Sequence, residues 1–289
     1  ADLGAMSASV RIIFPDVLLV VASVLFSAFI LIAEIFIPYH KYVRVLKYLV
    51  LSLFAYVITA VIVGGNINQI IFTIIPSISF SSDYAIMFVA VIGTTISPYL
   101  LFWQTSEEAE EDVAKHNIKE IGKGKPKVSP KEIMLMKEDI GIGMFFSQFI
   151  MWSIIITSAG SLYFAGITDI QTADQAASSF EPLVKSFPNS GQIAEVIFAV
   201  GIIGTGLLAI PVLSASSAFA LSDTFGWKEG LEKKFSQAKS FYSVIIASTL
   251  IGLWITFSHI SPIQALILAA VINAVVTVPI LFIVMRLAN

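Results

Sequence analysis

Gly93-Thr94-Thr95-Ile96-Ser97-Pro98-Tyr99 sits inside an apolar run over residues 84–103 and is followed by Gln104-Thr105-Ser106-Glu107-Glu108. A proline inside a helix removes one backbone hydrogen bond and clashes with the carbonyl four residues back, and a glycine before two threonines weakens the turn ahead of it. The helix is expected to break here. At bilayer depth, unpaired carbonyls and amides are tolerated only where protein buries them or a wet cavity receives them. The break is therefore a candidate ion or substrate site of the kind that discontinuous helices build. Hydroxyls of Thr94, Thr95, Ser97 and Tyr99 and the amide of Gln104 add polar groups on both sides of it. The plainer alternative is a kinked helix whose hydroxyls bond back to its own backbone.

Working outward, the chain of 289 residues is 57% hydrophobic and only 13% charged, with mean hydropathy +0.88. Soluble domains average roughly 45–50% apolar and about 25% charged, so this is an integral membrane protein, all-α by the length of its apolar runs. With no cysteine there is no disulfide, thiolate metal site or cysteine nucleophile. The three histidines, His40, His116 and His259, lie outside the apolar runs, which argues against a histidine-based site within the membrane. No His-Glu-x-x-His pair, Gly-x-Ser-x-Gly elbow or phosphate loop is present, so an intramembrane enzyme is not expected. Residues 1–11 lack a basic start followed by a cleavage site, and a chain beginning mid-protein is expected.

The whole chain reads as a single transmembrane domain. Residues 1–13 resemble the tail of a helix already under way, and spans follow at about 17–37, 44–63, 84–106 (broken near 94–98), 140–164, 193–221, 241–257 and 263–285, each near the ~20 residues that hydrocarbon requires. Between them, residues 66–82 form a connector without lysine or arginine, 115–131 a loop rich in lysine, glycine and proline, and 165–191 a polar loop with a short helix expected around 172–185. In the fifth span Gly201, Gly204, Gly206, Pro211 and three serines suit close helix approach, an opened turn at Pro211 being the alternative. Asn273 in the last span is either interhelical glue or a lining group. The acids from Glu107 to Asp112 read as a solvated helix end, or as a cation-gathering mouth.

Crossing the membrane seven times in alternation puts all but Arg11 and Lys185 of the 17 lysines and arginines on one side. Basic residues accumulate in cytoplasmic loops. The basic loops, the acidic run and the C-terminus are thus expected in the cytoplasm, and the plasma membrane is the expected location.

The stretch from Gly93 to Gln104, with Thr105-Ser106-Glu107-Glu108-Ala109-Glu110-Glu111 after it, resembles the sixth helix of the NRAMP (natural resistance-associated macrophage protein) metal-transporter family. It most resembles the prokaryotic NRAMP-related branch that includes magnesium transporters. Residues 1–6 resemble part of the family's third helix, and residues 271–289, from Val271-Ile272-Asn273 onward, its tenth. The resemblance implies a leucine-transporter-type inverted-repeat fold, incomplete, with seven spans standing for helices four to ten. It also implies a fragment lacking helices 1, 2 and 11, the first of which carries the family's Asp-Pro-Gly-Asn motif.

Departures from that pattern bear on chemistry. Where typical members have a methionine before the proline, this chain has Ser97; where they have two histidines after it, it has Tyr99 and Gln104. The third-helix pattern of Asp followed by Glu becomes Asp2 followed by Ala5, and residues 241–257 contain no arginine. Thioethers favour soft or late transition ions, whereas hydroxyl, carbonyl and water oxygens suit Mg²⁺ and Mn²⁺. Histidine is the side chain suited to moving protons near neutral pH.

The resemblance and these departures together imply divalent-cation transport, Mg²⁺ or Mn²⁺, by alternating access and without the family's usual proton coupling. Thr94 and Ser97 would bind the metal, with Thr95, Tyr99, Gln104 and Asn273 lining the site and Asp2, Glu107 and Glu108 on the ion pathway. The partners expected are the ion and the lipid bilayer, with no cofactor and no nucleic acid. The alternatives are a non-transporting membrane scaffold or fragment, or a carrier of small organic substrates with Phe102 and Trp103 as aromatic gates.

Overall fold

The structure, a computed structural model, describes residues 1–37, 41, 42, 44, 48–63, 81–114, 116–118, 129–163, 165–258 and 261–288. Among these residues it is helical without strands. The elements are α1 (Asp2–Ile13), α2 (Leu19–Phe36), a 3-10 turn Leu49–Leu53 leading into α3 (Phe54–Val63), α4 (Ser82–Thr95), α5 (Pro98–Ala114), α6 (Pro130–Ser158), α7 (Ser190–Phe225), α8 (Lys239–Thr256) and α9 (Pro262–Ala288). Short helical turns Ala173–Ala177, Ser178–Phe180 and Glu181–Val184 precede α7, over the stretch where a short helix is expected.

Among the described residues six helical stretches are long and apolar enough to cross a membrane: Leu19–Phe36, Ser82–Val113, Pro130–Tyr163, Ser190–Phe225, Lys239–Thr256 and Pro262–Leu287. Residues 44–63, expected as a further span, show the 3-10 turn and α3, which together rise about 25 Å against the ~30 Å of hydrocarbon. Residues 43 and 45–47 lie outside the described set, as do most of the connector over 66–82 and of the lysine-rich loop over 115–131. Outward faces are apolar and uncovered, as lipid contact demands: Trp254 is 75% exposed and Val278 70%.

With lipid tails as apolar as leucine, helices associate through close packing and interhelical hydrogen bonds. Serines do this between α1 and α2: the Ser23 hydroxyl lies 2.8 Å from Ser7 Oγ and 2.8 Å from the Leu19 carbonyl, while Ser7 donates to the Leu3 carbonyl. α7 lies against this pair, its Leu207 and Ile210 joining Leu3, Met6, Ile30 and Ala33 in one core cluster. Met6 fills the notch above Gly206. Farther along, Phe219 of α7 meets Phe241 of α8 at 4.8 Å between ring centroids, and Trp103 of α5 stands edge-on to Phe219. Phe102 is exposed, so Trp103 is packed against protein and Phe102 faces outward.

α4 and α9 come into close backbone contact at Gly93. A Cβ there would fall 1.8 Å from the Ala270 carbonyl oxygen and 2.8 Å from the Ala274 nitrogen, both backbone atoms that cannot turn aside. The glycine beside the break therefore serves the α4–α9 crossing as well as weakening its own helix. Gly93→Ala is expected to destabilise the protein by about 1–3 kcal/mol, the usual cost of overpacking. Gly143→Ala, where nothing lies within 4 Å, is expected to be neutral. Unfolding of the two variants in detergent checks this, and equal midpoints would reject the crossing.

Candidate functional site

The break is built in two steps. α4 starts at Ser81, whose hydroxyl accepts the Tyr84 N–H at 3.2 Å, and stops at Thr95, where Ile96 turns extended with φ −118° and ψ 100°. Pro98 then opens α5, a position where its missing N–H takes nothing from the helix. Two residues, Ile96 and Ser97, thus separate two half-helices in one membrane-length segment.

Separation strands the last carbonyls of α4. Ile96 N–H still reaches the Ile92 carbonyl at 3.0 Å, and Leu100 N–H reaches the Ser97 carbonyl at 3.1 Å. The Ile96 carbonyl accepts from the Thr277 hydroxyl of α9 at 3.0 Å, a hydroxyl that also lies 2.6 Å from the Asn273 carbonyl. The carbonyls of Gly93, Thr94 and Thr95 have no hydrogen-bond partner among the described residues. They stand at the C-terminal end of α4, where the aligned peptide dipoles leave partial negative charge.

The expected site residues divide accordingly. The hydroxyls of Thr94 and Thr95 both turn back to the Val91 carbonyl, at 2.8 and 2.9 Å, and Thr95 also touches Met151 sulfur at 3.6 Å. Only their carbonyls are free for a ligand. Ser97 is 8% exposed and its hydroxyl has no hydrogen bond. Tyr99 and Asn273 are half-buried, Tyr99 in the first turn of α5 and Asn273 one turn before Thr277 on α9. Thr277 went unrecognised in the sequence, where a threonine in an apolar helix reads as self-bonded; only the α4–α9 crossing gives it a second acceptor.

Beyond the first turn of α5 opens a cavity of about 900 Å³ bounded by Leu100, Trp103 and Gln104 and by the carboxyl side chains of Glu107, Glu108, Glu110, Glu111, Asp139 and Glu232. Among the described residues no lysine or arginine lines it. The cavity is an acidic vestibule, and a cleft of one sign of charge raises the local concentration of the opposite ion. Gln104, Glu107 and Glu108 belong to it, and Asp2, in the first turn of α1, does not. A second cavity, about 970 Å³, opens among α1, α7, α9 and residues 168–173.

One wall of the vestibule is a strap, residues 226–238, between α7 and α8. Glu110 Oε1 accepts the Leu231 N–H at 2.8 Å, and the Tyr242 hydroxyl donates to the Lys233 carbonyl at 2.7 Å. Gly230 takes φ +134°, which a side chain rarely adopts, and lets the strap turn onto Glu110. Glu229 is buried in the strap with Oε2 unpaired. Burial first, then the charge of Asp223 beside it, pushes its carboxyl up to about 7, with Lys233 pulling the other way.

Among the described residues no three His, Cys, Asp or Glu side chains converge to hold a metal ion. The arrangement can instead offer a cation neutral oxygens at the break, with carboxylates about two and a half helical turns farther along α5.

Over its whole length, residues 1–289, the chain matches the family model described as natural resistance-associated macrophage protein-like. No curated protein matches it.

Two outcomes are expected here. Thr277→Val leaves the Ile96 carbonyl without its partner and lowers stability by about 1–3 kcal/mol; unfolding indistinguishable from wild type would remove Thr277 from the break. Because the folded pKa of Glu229 lies above its ordinary value, folding favours the protonated form, and stability falls as pH rises from about 4.5 to about 7. Glu229→Gln should therefore raise the unfolding midpoint at pH 8 and leave it nearly unchanged at pH 4. An equal shift at both pH values would exclude the titration.

Proposed function

The chain belongs to the Nramp family, and from that premise we propose that it moves Mg²⁺ or Mn²⁺ across the plasma membrane by alternating access around the break at residues 94–98. Family membership makes it a multi-pass carrier of divalent metal cations and not an enzyme, with the ion as substrate and no cofactor. The observation that carries the finer reading is the pairing of stranded carbonyls with the unpaired hydroxyl of buried Ser97.

In this reading the Thr94 carbonyl and the Ser97 hydroxyl bind the ion. Thr95, Tyr99 and Asn273 line the site, and Gln104, Glu107 and Glu108 lead to it through the vestibule. Asp2 stays off the route because it lines neither cavity. Mg²⁺ sheds water reluctantly, so neutral oxygens hold it through its remaining waters. No sulfur ligand is present at Ser97 to favour softer ions. Placing the lysine-rich loops in the cytoplasm makes the vestibule the inner mouth, and the 970 Å³ cavity then faces outside. Flux is not coupled to protons at the break, which has no histidine or carboxylate of its own.

The test is uptake of Mg²⁺ and of Mn²⁺ into liposomes carrying the purified protein, with internal pH followed. Mg²⁺ entry without acidification is expected. Ser97→Met should raise Mn²⁺ or Cd²⁺ transport over Mg²⁺ by on the order of tenfold, the ratio that about 1.4 kcal/mol of differential binding gives. Unchanged selectivity would take Ser97 out of contact with the ion, and Mn²⁺ entry with co-transported protons and no Mg²⁺ flux would overturn the hard-ion reading.

A further inference from the structure

Glu34 is the only charged side chain of α2, sits near its C-terminal end and is 8% exposed. The Ser214 hydroxyl of α7 lies 2.6 Å from Glu34 Oε1 and 3.0 Å from the Pro211 carbonyl. A hydroxyl has one proton. If Glu34 were a bare carboxylate, Ser214 would have to share that proton between two acceptors. If Glu34 carries a proton, it donates to Ser214 Oγ, and Ser214 passes its own proton on to Pro211, so that both short contacts become full hydrogen bonds.

The other carboxyl oxygen, Oε2, is buried without a partner. Glu34 lines a cavity of about 10 Å³ with Ala33, Tyr42, Trp103, Pro211 and Leu231, room for about one water. Trp103 and Leu231 also line the acidic vestibule, so two side chains form the wall between it and Glu34.

Among the described residues Ser214 is the side chain that hydrogen-bonds to the carboxyl. Among the described residues no lysine or arginine pairs with it. The Tyr42 hydroxyl is committed to the Leu207 carbonyl at 2.8 Å, and the Tyr242 hydroxyl of α8 to Lys233 and Leu231 of the strap. α1 carries Asp2 as its only acid, and the two carboxyls do not interact. On the vestibule side stand Glu107, one turn past Trp103, and Glu110, bound to the Leu231 N–H. A metal ion would need several more oxygens than one free Oε2 and more room than one water. What fits is a proton.

We propose that Glu34 is a proton-binding site within the membrane-spanning part of the protein, loaded from the acidic vestibule through a single water past Trp103 and Leu231. The step is the transfer of one proton from hydronium to the carboxylate, leaving water and a neutral carboxylic acid. The proton modulates ion passage and does not travel with the ion, because Glu34 lies on α2 behind the vestibule wall and away from the break. When the proton leaves, the buried carboxylate draws water through that wall, and Trp103 gives up its packing against Phe219, freeing α5. This second half rests on the transport reading; proton binding itself does not.

Infrared difference spectra of the reconstituted protein over a pH titration read the site without any transport. A carboxylic C=O band that titrates in the wild type, vanishes in Glu34→Gln and persists in Glu34→Asp is expected; a band unchanged in Glu34→Gln would overturn the proposal. In the same liposomes, wild-type Mg²⁺ or Mn²⁺ flux should vary with pH, Glu34→Gln should flatten that dependence at least tenfold while still folding, and Glu34→Asp should restore it. A Glu34→Gln variant with the wild-type pH profile would end the modulating role. The titrating band in a wild-type protein that passes no ion would support the proton site and reject the transport reading alone.

Discussion

A carbonyl in hydrocarbon without a donor is too costly to leave unattended, and Pro211 and Pro98, like Pro279 inside α9, create such carbonyls. Pro211 lies inside α7 and lets the helix continue, so the Leu207 carbonyl loses its donor four residues on. The Tyr42 hydroxyl reaches it across from another element, at 2.8 Å. Pro98 acts differently: the helix stops, α5 begins afresh, and Thr277 supplies a donor to only one of the stranded carbonyls. The difference lies in the preceding residues. Gly93-Thr94-Thr95 makes a weak last turn, whereas residues before Pro211 are held against Met6, Ile30 and Leu3.

The same accounting explains how the break is kept open. Gly93 brings α4 onto the backbone of α9, and that contact sets Thr277 opposite Ile96. With the crossing fixed, the carbonyls left over have no donor among the described residues, and the hydroxyl of Ser97, a residue 8% exposed, makes no bond of its own.

Below the break the chemistry turns from neutral oxygens to charge. α5 carries its acids on the turns that follow its apolar half, and the strap brings Glu232 and Leu231 to the opposite wall through backbone hydrogen bonds from both residues to Glu110. The aromatic stack Trp103–Phe219–Phe241 ties α5 to α7 and α8 at the same level. Any tilt of α5 must therefore disturb both the vestibule wall and the shelter around Glu34.

Hydrophobic length and breaker residues are local properties, and from them the membrane class and a helix interruption near residues 94–98 could be read directly. Within residues 44–63, apolar length alone does not reveal that a 3-10 turn over Leu49–Leu53 precedes the ten helical residues of α3. Partners far apart in the chain were not legible at all. That Thr94 and Thr95 spend their hydroxyls on Val91 while Ser97 keeps its own, that Thr277 caps Ile96, and that Glu34 meets Ser214 rather than a lysine are results of how helices cross. A sequence states which groups could bond; only the tertiary packing decides which find a partner first, because each hydroxyl has one proton to give and each buried carbonyl takes the nearest donor.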